Sequence, residues 1–245
     1  MPYNKPSYTD KRIIVSAGFD PLVQPTVACG ALAPLPLPAL ELDFIDRAFA
    51  RTFTWKVEPV FTDSFSIEGQ EPRDVKAAAV FFPLIQRSDG LHVLFTRRAT
   101  HLSNHAGQIS FPGGRIEASD QDAVAAALRE TQEEIGVGPE FVRLIGAQPS
   151  FLTSTRFAMK PIIGELRPGF VLRPDASEVA EVFEVPLSFL MDTSKHRLHM
   201  VQLPSGNSRY YFSITWESYF IWGATAALIR NFYHYLAAAY VDARD

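Results

Sequence analysis

Apolar positions recur along this chain at several distinct spacings. The clearest helical one lies in GGRIEASDQDAVAAALRETQEEIGV, residues 113–137. At about 100° per residue, Val124, Leu128, Thr131 and Ile135 share a stripe, the pattern of a face packed on a core. Glu130, Glu133 and Glu134 fall on the opposite side, with Ala123 and Ala126 one to two turns N-terminal to them. The helix is expected to start near Asp120, capped by Ser119 or Asp120. Gly136 or Gly138 ends it, and Pro139 prevents its continuation. Upstream, residues 75–86 are continuously apolar and read as a buried strand. Ser88-Asp89-Gly90 then turns the chain into a partner strand, 91–97. Residues 101–110 read as a loop or short strand leading to Phe111-Pro112-Gly113-Gly114. Downstream, 141–149 and 157–166 read as strands around a polar loop, 150–156. Residues 178–185 form a strand or turn, followed by a short helix from Pro186. Residues 197–203 and 209–215 make a hairpin, and 222–240 a C-terminal helix.

The first third is less regular. Seven of the 18 prolines fall in residues 1–39, which read as an extended arm. Leu40, Phe44, Ile45, Ala48 and Phe49 predict a short amphipathic helix over 40–51. Phe53, Trp55 and Val57 alternate with polar residues like a strand, and 62–74 read as a linker. The pattern divides the chain into an arm with a short helix, 1–73, and a compact unit, 74–241. Strands with two main helices imply an α/β fold in which a mixed sheet lies between helices.

Composition narrows the function. With 47% hydrophobic residues the chain can bury a sizeable core. A net charge of −4 without a long basic run disfavours nucleic-acid backbone binding. The single cysteine, Cys29, cannot form an internal disulfide and suits a reducing compartment. Residues 27–40 are apolar but broken by Pro34, Pro36 and Pro38, and too short to cross a bilayer. The start of the chain lacks a targeting pattern. These features lead to the expectation of a cytoplasmic protein with no membrane partner. Its oligomeric state stays open, a homodimer included.

Chemistry concentrates on the acidic side of the 113–137 helix. Glu130 lies three residues from Glu133 and four from Glu134, so the carboxylates are neighbours and repel. Their place near a helix C-terminus also opposes the helix dipole. A hard divalent cation, Mg²⁺ or Mn²⁺, would relieve both penalties; an ordinary solvated Glu-rich face fits the same spacing. Gly113 and Gly114 make either a plain turn or a loop whose backbone can approach a phosphate.

The run Arg129, Glu130, Glu133, Glu134, Gly136, Val137 resembles the second half of the Nudix box, R-E-x-x-E-E-x-G-V. In the strict spacing of the first half, Gln121 stands at the Glu position and Arg115 at the Gly position. One extra residue gives instead Gly114, five residues, then Asp120. The segment from Thr96 to Gly114, TRRATHLSNHAGQISFPGG, resembles the signature of the coenzyme A diphosphatase branch of the Nudix hydrolases, which tends to carry that extra residue. Residues 219–226, YFIWGATA, also resemble that branch. The likeness covers roughly 40–240, with three motifs in order.

The resemblance implies a Nudix-type α/β/α sandwich over 74–241 and metal-dependent hydrolysis of coenzyme A, or its thioesters, to 3′,5′-ADP and 4′-phosphopantetheine. Alternatives are hydrolysis of another nucleoside diphosphate derivative, such as ADP-ribose or NADH, and a nucleotide-binding module without turnover. Carried over by position, Glu130 binds metal or handles the proton. Glu134 and Glu133 are further metal ligands, with Glu133 also a catalytic candidate, and Arg129 orients a carboxylate. Glu178, backed by Glu181, is the candidate for an additional acid. Gly113, Gly114, Arg98, His105 and Arg156 are the substrate-binding candidates, with Arg97, His101 and Lys160 as further cations. Asp120 and Glu117 read as loop residues, and Trp216, Tyr219, Phe220 and Trp222 mostly as core.

Overall fold

The run KAAAVFFPLIQR places eight consecutive buried residues in one strand. A strand buried on both faces must lie between two covering layers. The computed structural model shows that arrangement. It describes residues 19–30, 32–66, 75–102, 105–153, 155–202 and 208–244, with backbone only at 62–66. In chain order the elements are β1 (Thr26–Val27), a 3-10 turn (Leu37–Leu40), α1 (Leu42–Phe49), a 3-10 segment (Pro59–Ser64), β2 (Phe65–Ser66), β3 (Lys76–Arg87) and β4 (Gly90–Arg98). They continue with β5 (Ile109–Ser110), β6 (Gly113–Arg115), α2 (Ala123–Ile135), β7 (Val142–Ala147), β8 (Ser150–Leu152), β9 (Phe157–Leu166) and β10 (Val179–Pro186). The last are α3 (Leu187–Leu190), β11 (His196–Gln202), β12 (Ser208–Trp216), β13 (Tyr219–Trp222) and α4 (Ala224–Asp242).

The main sheet runs β10-β4-β3-β9-β8-β2, with β5 beside β4, β6 beside β3 and β7 beside β9. It is mixed, because β3 and β9 are parallel while β3 and β4 form an antiparallel hairpin. One face packs Ala79, Phe81, Ile85 and Leu94 against Ala126, Ala127 and Ile135 of α2. The other packs Val80, Phe82, Leu84, Val93 and Phe95 against α4 and α1. A smaller sheet, β1-β11-β12-β13, closes the α4 side. The result is an α/β/α sandwich.

One interruption of the main sheet positions the candidate site residues. On the same edge of β3, β6 pairs with Ala78–Val80 and β4 only with Leu84–Arg87. Pro83 sits between the two pairings, where its missing N–H leaves no ladder bond unmade. The splayed end of β4 is carried by β5, at Thr96↔Ser110 and Arg97↔Ile109. The Phe111-Pro112-Gly113 turn then returns to β3, where Phe81 N–H donates to Pro112 O at 2.8 Å.

Several expectations are corrected. The helix begins at Ala123, not Asp120; Asp122 caps it, accepting from Ala125 N–H at 2.8 Å. Gly136, at φ +73°, ends it as expected. Its buried face is Ala126, Ala127, Thr131, Glu134 and Ile135, whereas Val124 and Leu128 are half-buried. Residues 53–57 form no strand; Phe53 and Trp55 instead lie 5.0 and 5.1 Å from the Tyr235 ring of α4. The C-terminal helix starts at Ala224, because Tyr219–Trp222 pair with β12. Residues 1–18 and 31 of the arm, 67–74 of the linker and the 203–207 turn lie outside the described residues. Within 19–61, Ala39, Phe44, Ile45 and Ala48 join the same core as α4.

Candidate active site

α2 brings its acids to the wedge between β3 and β4. The Glu134 carboxylate is 3% exposed. It accepts from Gly113 N–H at 3.2 Å and lies 3.7 Å from Arg98 Nη1. Burial pushes its pKa up to about 8; the Gly113 N–H and Arg98 oppose the rise, while Glu130 and Glu178 add to it. The periodicity had placed Glu134 opposite the packed stripe. It is instead beside Ile135 on the buried face, tolerated there because an N–H and a guanidinium meet it.

Glu130 lies one turn earlier, half-buried. The absence of a side chain at Gly114 makes room for the Glu130 carboxylate against β6; a Cβ there would displace the carboxylate from this position. Burial raises its pKa against the pull of Arg129, and Glu133 and Glu178 raise it further. Gly113, at φ +150°, likewise has no room for a side chain against Ala79 and Val80.

Arg129 organises the rim. Its Nε and Nη2 each donate to one Asp120 oxygen at 3.0 Å. Nη2 also donates to Arg115 O at 3.1 Å, and Nη1 to Glu130 at 3.2 Å and Glu133 at 2.9 Å. Asp120, read from sequence as a loop residue, is thus the bidentate partner of Arg129, which holds its carboxyl below the usual range. The spacing that reaches Asp120 from Gly114 was the available signal. Glu133 points outward, its side chain 59% exposed, so the three acids do not form one ridge.

Glu178 arrives from another element. The loop before β10 folds onto the end of α2: Arg173 N–H donates to Ile135 O at 2.9 Å and Asp175 N–H to Glu134 O at 3.0 Å. These are carbonyls that a helix leaves unmatched at its C-terminus. Glu178 O then accepts from Ala99 N–H at 2.7 Å, beside Arg98. Glu178 itself is exposed, and its charge is felt by both Glu130 and Glu134.

The remaining candidates are more dispersed. His105, at φ +58°, is bonded to Gln108 at 2.8 Å, on a loop whose Gly107 N–H and Gln108 O bond the Arg98 backbone. Arg156, at φ +63°, lies at the end of the β8–β9 loop, with its carbonyl on Lys76 N–H. Glu181 is engaged by Arg97 and by Tyr219 Oη. Tyr219 stacks on Phe183 at 3.7 Å, and Trp216 packs on Phe189 at 4.5 Å. Lys160 and His101 are half-buried and exposed.

Among the described residues, no three acids, histidines or cysteines converge as a ready-made ligand set. The charges of Glu130 and Glu178 nonetheless raise the cost of ionising Glu134, that of Glu178 does the same to Glu130, and the three side chains offer only carboxylate oxygens. Such a donor set fits a hard divalent cation.

A family model for the NUDIX domain matches residues 75–197. A protein of Enterobacter sp. (strain 638), named uncharacterized Nudix hydrolase NudL, is 40% identical over 163 residues, covering 65% of this chain and 83% of that one. Its counterpart in Salmonella paratyphi B is 39% identical over 66% and 83%. A crystal structure of DR0079 from Deinococcus radiodurans superimposes at a TM-score of 0.43 with 16% identity, over 67% of this chain and 88% of that one. The chain belongs to the Nudix family of hydrolases.

Proposed function

We propose that the protein hydrolyses the diphosphate of coenzyme A or its thioesters, giving 3′,5′-ADP and 4′-phosphopantetheine. The observation that supports this reading is the contact between two motifs distant in sequence. Arg98 and Gly113, both within the segment resembling the coenzyme A branch, meet Glu134 of the Nudix helix.

A divalent cation, Mg²⁺ or Mn²⁺, would offset charge on the diphosphate oxygens when held by Glu130, Glu134 and Glu178. Gly113 N–H and Arg98 fix the Glu134 carboxylate. Arg129, itself held by Asp120, fixes Glu130, which either ligates or accepts the proton of the attacking water. Glu133, on the open side, is a further ligand or proton acceptor. Arg98, His105, Arg156 and the Gly113–Gly114 backbone meet the substrate.

A substrate panel with Mg²⁺ or Mn²⁺ tests this. Coenzyme A should be turned over fastest, and Glu134→Gln should cut that rate by more than about 100-fold. Faster turnover of ADP-ribose or NADH moves the protein to another Nudix substrate. No turnover of any member leaves a nucleotide-binding module.

A further inference from the structure

Strand β10 falls out of step with β4 at one point. Val179 pairs with Arg98 and Glu181 with Arg97, so Ala180 is an extra residue against a single step of β4. Such a bulge bends a strand and re-aims the residues beside it. In a regular strand Val179 and Glu181 would share a face, because side chains alternate. Here each follows its own partner. Arg98 faces Glu134 on the α2 side, whereas Arg97 faces the opposite side, toward Glu181. The bulge therefore turns Val179 to the side of the acids, where it is buried. Glu178 is the next residue back. Its carbonyl accepts from Ala99 N–H at 2.7 Å, and its charge is felt by Glu130 and Glu134.

A slip of one residue would return Val179 to the other face, so the bulge needs an anchor. Glu181 supplies it, held from two directions. Arg97, on the adjacent strand, donates to one carboxylate oxygen, and Tyr219 Oη donates to the other at 2.7 Å. Tyr219 belongs to β13 of the smaller sheet, so the second bond ties the bulge to a separate layer. The Tyr219 ring lies flat on Phe183, at 3.7 Å and 8°, two residues beyond Glu181 on the same strand. The Arg97 guanidinium lies 6.0 Å from that ring's centroid, within reach of its face. Burial and the Glu181 carboxylate push the Tyr219 phenol up, which keeps it a donor. We propose that Tyr219 is a positioning residue: by holding Glu181 against Arg97 it fixes the bulge at Ala180, and with it the placement of Glu178 beside Glu130 and Glu134. The inference rests on Glu178 being one of the cation ligands.

Mn²⁺ affinity of the full chain, read from the electron paramagnetic resonance signal of the free ion, tests this without requiring turnover. Tyr219→Phe removes one hydroxyl and keeps the ring on Phe183, so the variant should fold. It should weaken Mn²⁺ binding about tenfold, and Glu178→Gln should weaken it at least as much. In the Glu178→Gln background, Tyr219→Phe should have no further effect, because it acts through that side chain. Wild-type affinity in Tyr219→Phe beside a weakened Glu178→Gln, whatever the melting temperatures, overturns the positioning role alone and leaves Glu178 a ligand. A further tenfold loss in the double variant also overturns it, since Tyr219 then acts by another route. Wild-type affinity in Glu178→Gln overturns both the positioning role and the reading of Glu178 as a ligand.

Discussion

Asp120 and Glu134 show how single residues escape a pattern read from sequence. A helical wheel treats every carboxylate as a solvent-seeking group, so Glu134 is assigned away from the core. The wheel has no knowledge of Gly113 N–H and Arg98, which lie 21 and 36 residues upstream and make burial tolerable. Asp120 is exposed to the same error from the other side. Its partner Arg129 is nine residues away, and the loop between them brings both carboxylate oxygens onto the guanidinium. Glu130, Glu133 and Arg129 were legible because they are local to one helix. Converting Asp120→Asn keeps the shape but removes the charge, so Arg129 loses its fixed fork and Glu130 its orientation. Activity should fall about 10- to 100-fold while the circular dichroism spectrum is unchanged; an unaltered rate in the variant would show that Arg129 holds its place without this partner.

Among the elements, the β3–β4 hairpin, β9 and the body of α2 follow directly from apolar period and turn chemistry. The 53–57 segment does not, because alternation of Phe53, Trp55 and Val57 satisfies a strand period while their partner is Tyr235 of a helix. Tertiary packing overrides a local preference there. The loop before β10 was the other unreadable element, since nothing local shows that it caps α2. Asp175 is its pivot. Its N–H meets Glu134 O, its carbonyl accepts from Glu178 N–H at 2.9 Å, and its carboxylate accepts Ser177 N–H at 2.8 Å. This side-chain turn holds Glu178 near the other acids. Asp175→Ala should lower kcat about tenfold by releasing Glu178, and Asp175→Asn, which still accepts from Ser177, should restore most of it. Equal rates in all three proteins would detach this turn from function.

At the scale of the whole molecule, a buried polar network ties the N-terminal segment to α4 and the second sheet. Glu58 accepts from Arg230 Nε at 2.7 Å and from His234 Nε2 at 2.8 Å. Arg230 Nη1 donates to His196 Nδ1 at 3.3 Å, and His196 Nε2–H donates to Leu190 O at 2.8 Å. Glu58 is held down to about 2: its burial favours the neutral acid, but His234 and Arg230 outweigh it. Burial pushes His196 down to about 4, so it stays neutral in the fold. The unfolded chain takes up a proton on His196 near pH 6.5 that the folded chain refuses until about 4, so stability falls with pH across that window. The contribution of Glu58 has the same sign but is lost lower, as pH drops from 4.5 toward 2. Urea unfolding at pH 7 and pH 5 should therefore differ by about 2 kcal/mol from His196 alone. Glu134, raised to about 8, acts in the opposite sense over this range, so the comparison is between proteins: the change from pH 7 to pH 5 should be less favourable in the wild type than in His196→Gln by about 2 kcal/mol, and an equal change in both would assign the acid sensitivity elsewhere.

The central claim is that Glu134 and Glu130 are brought together to hold a divalent cation. Titration of the protein with Mn²⁺, followed by the electron paramagnetic resonance signal of the free ion, measures this directly. The wild type should bind Mn²⁺, and Glu134→Gln should weaken that binding by more than about tenfold with the fold intact. Equal Mn²⁺ affinity in the two proteins would contradict the account.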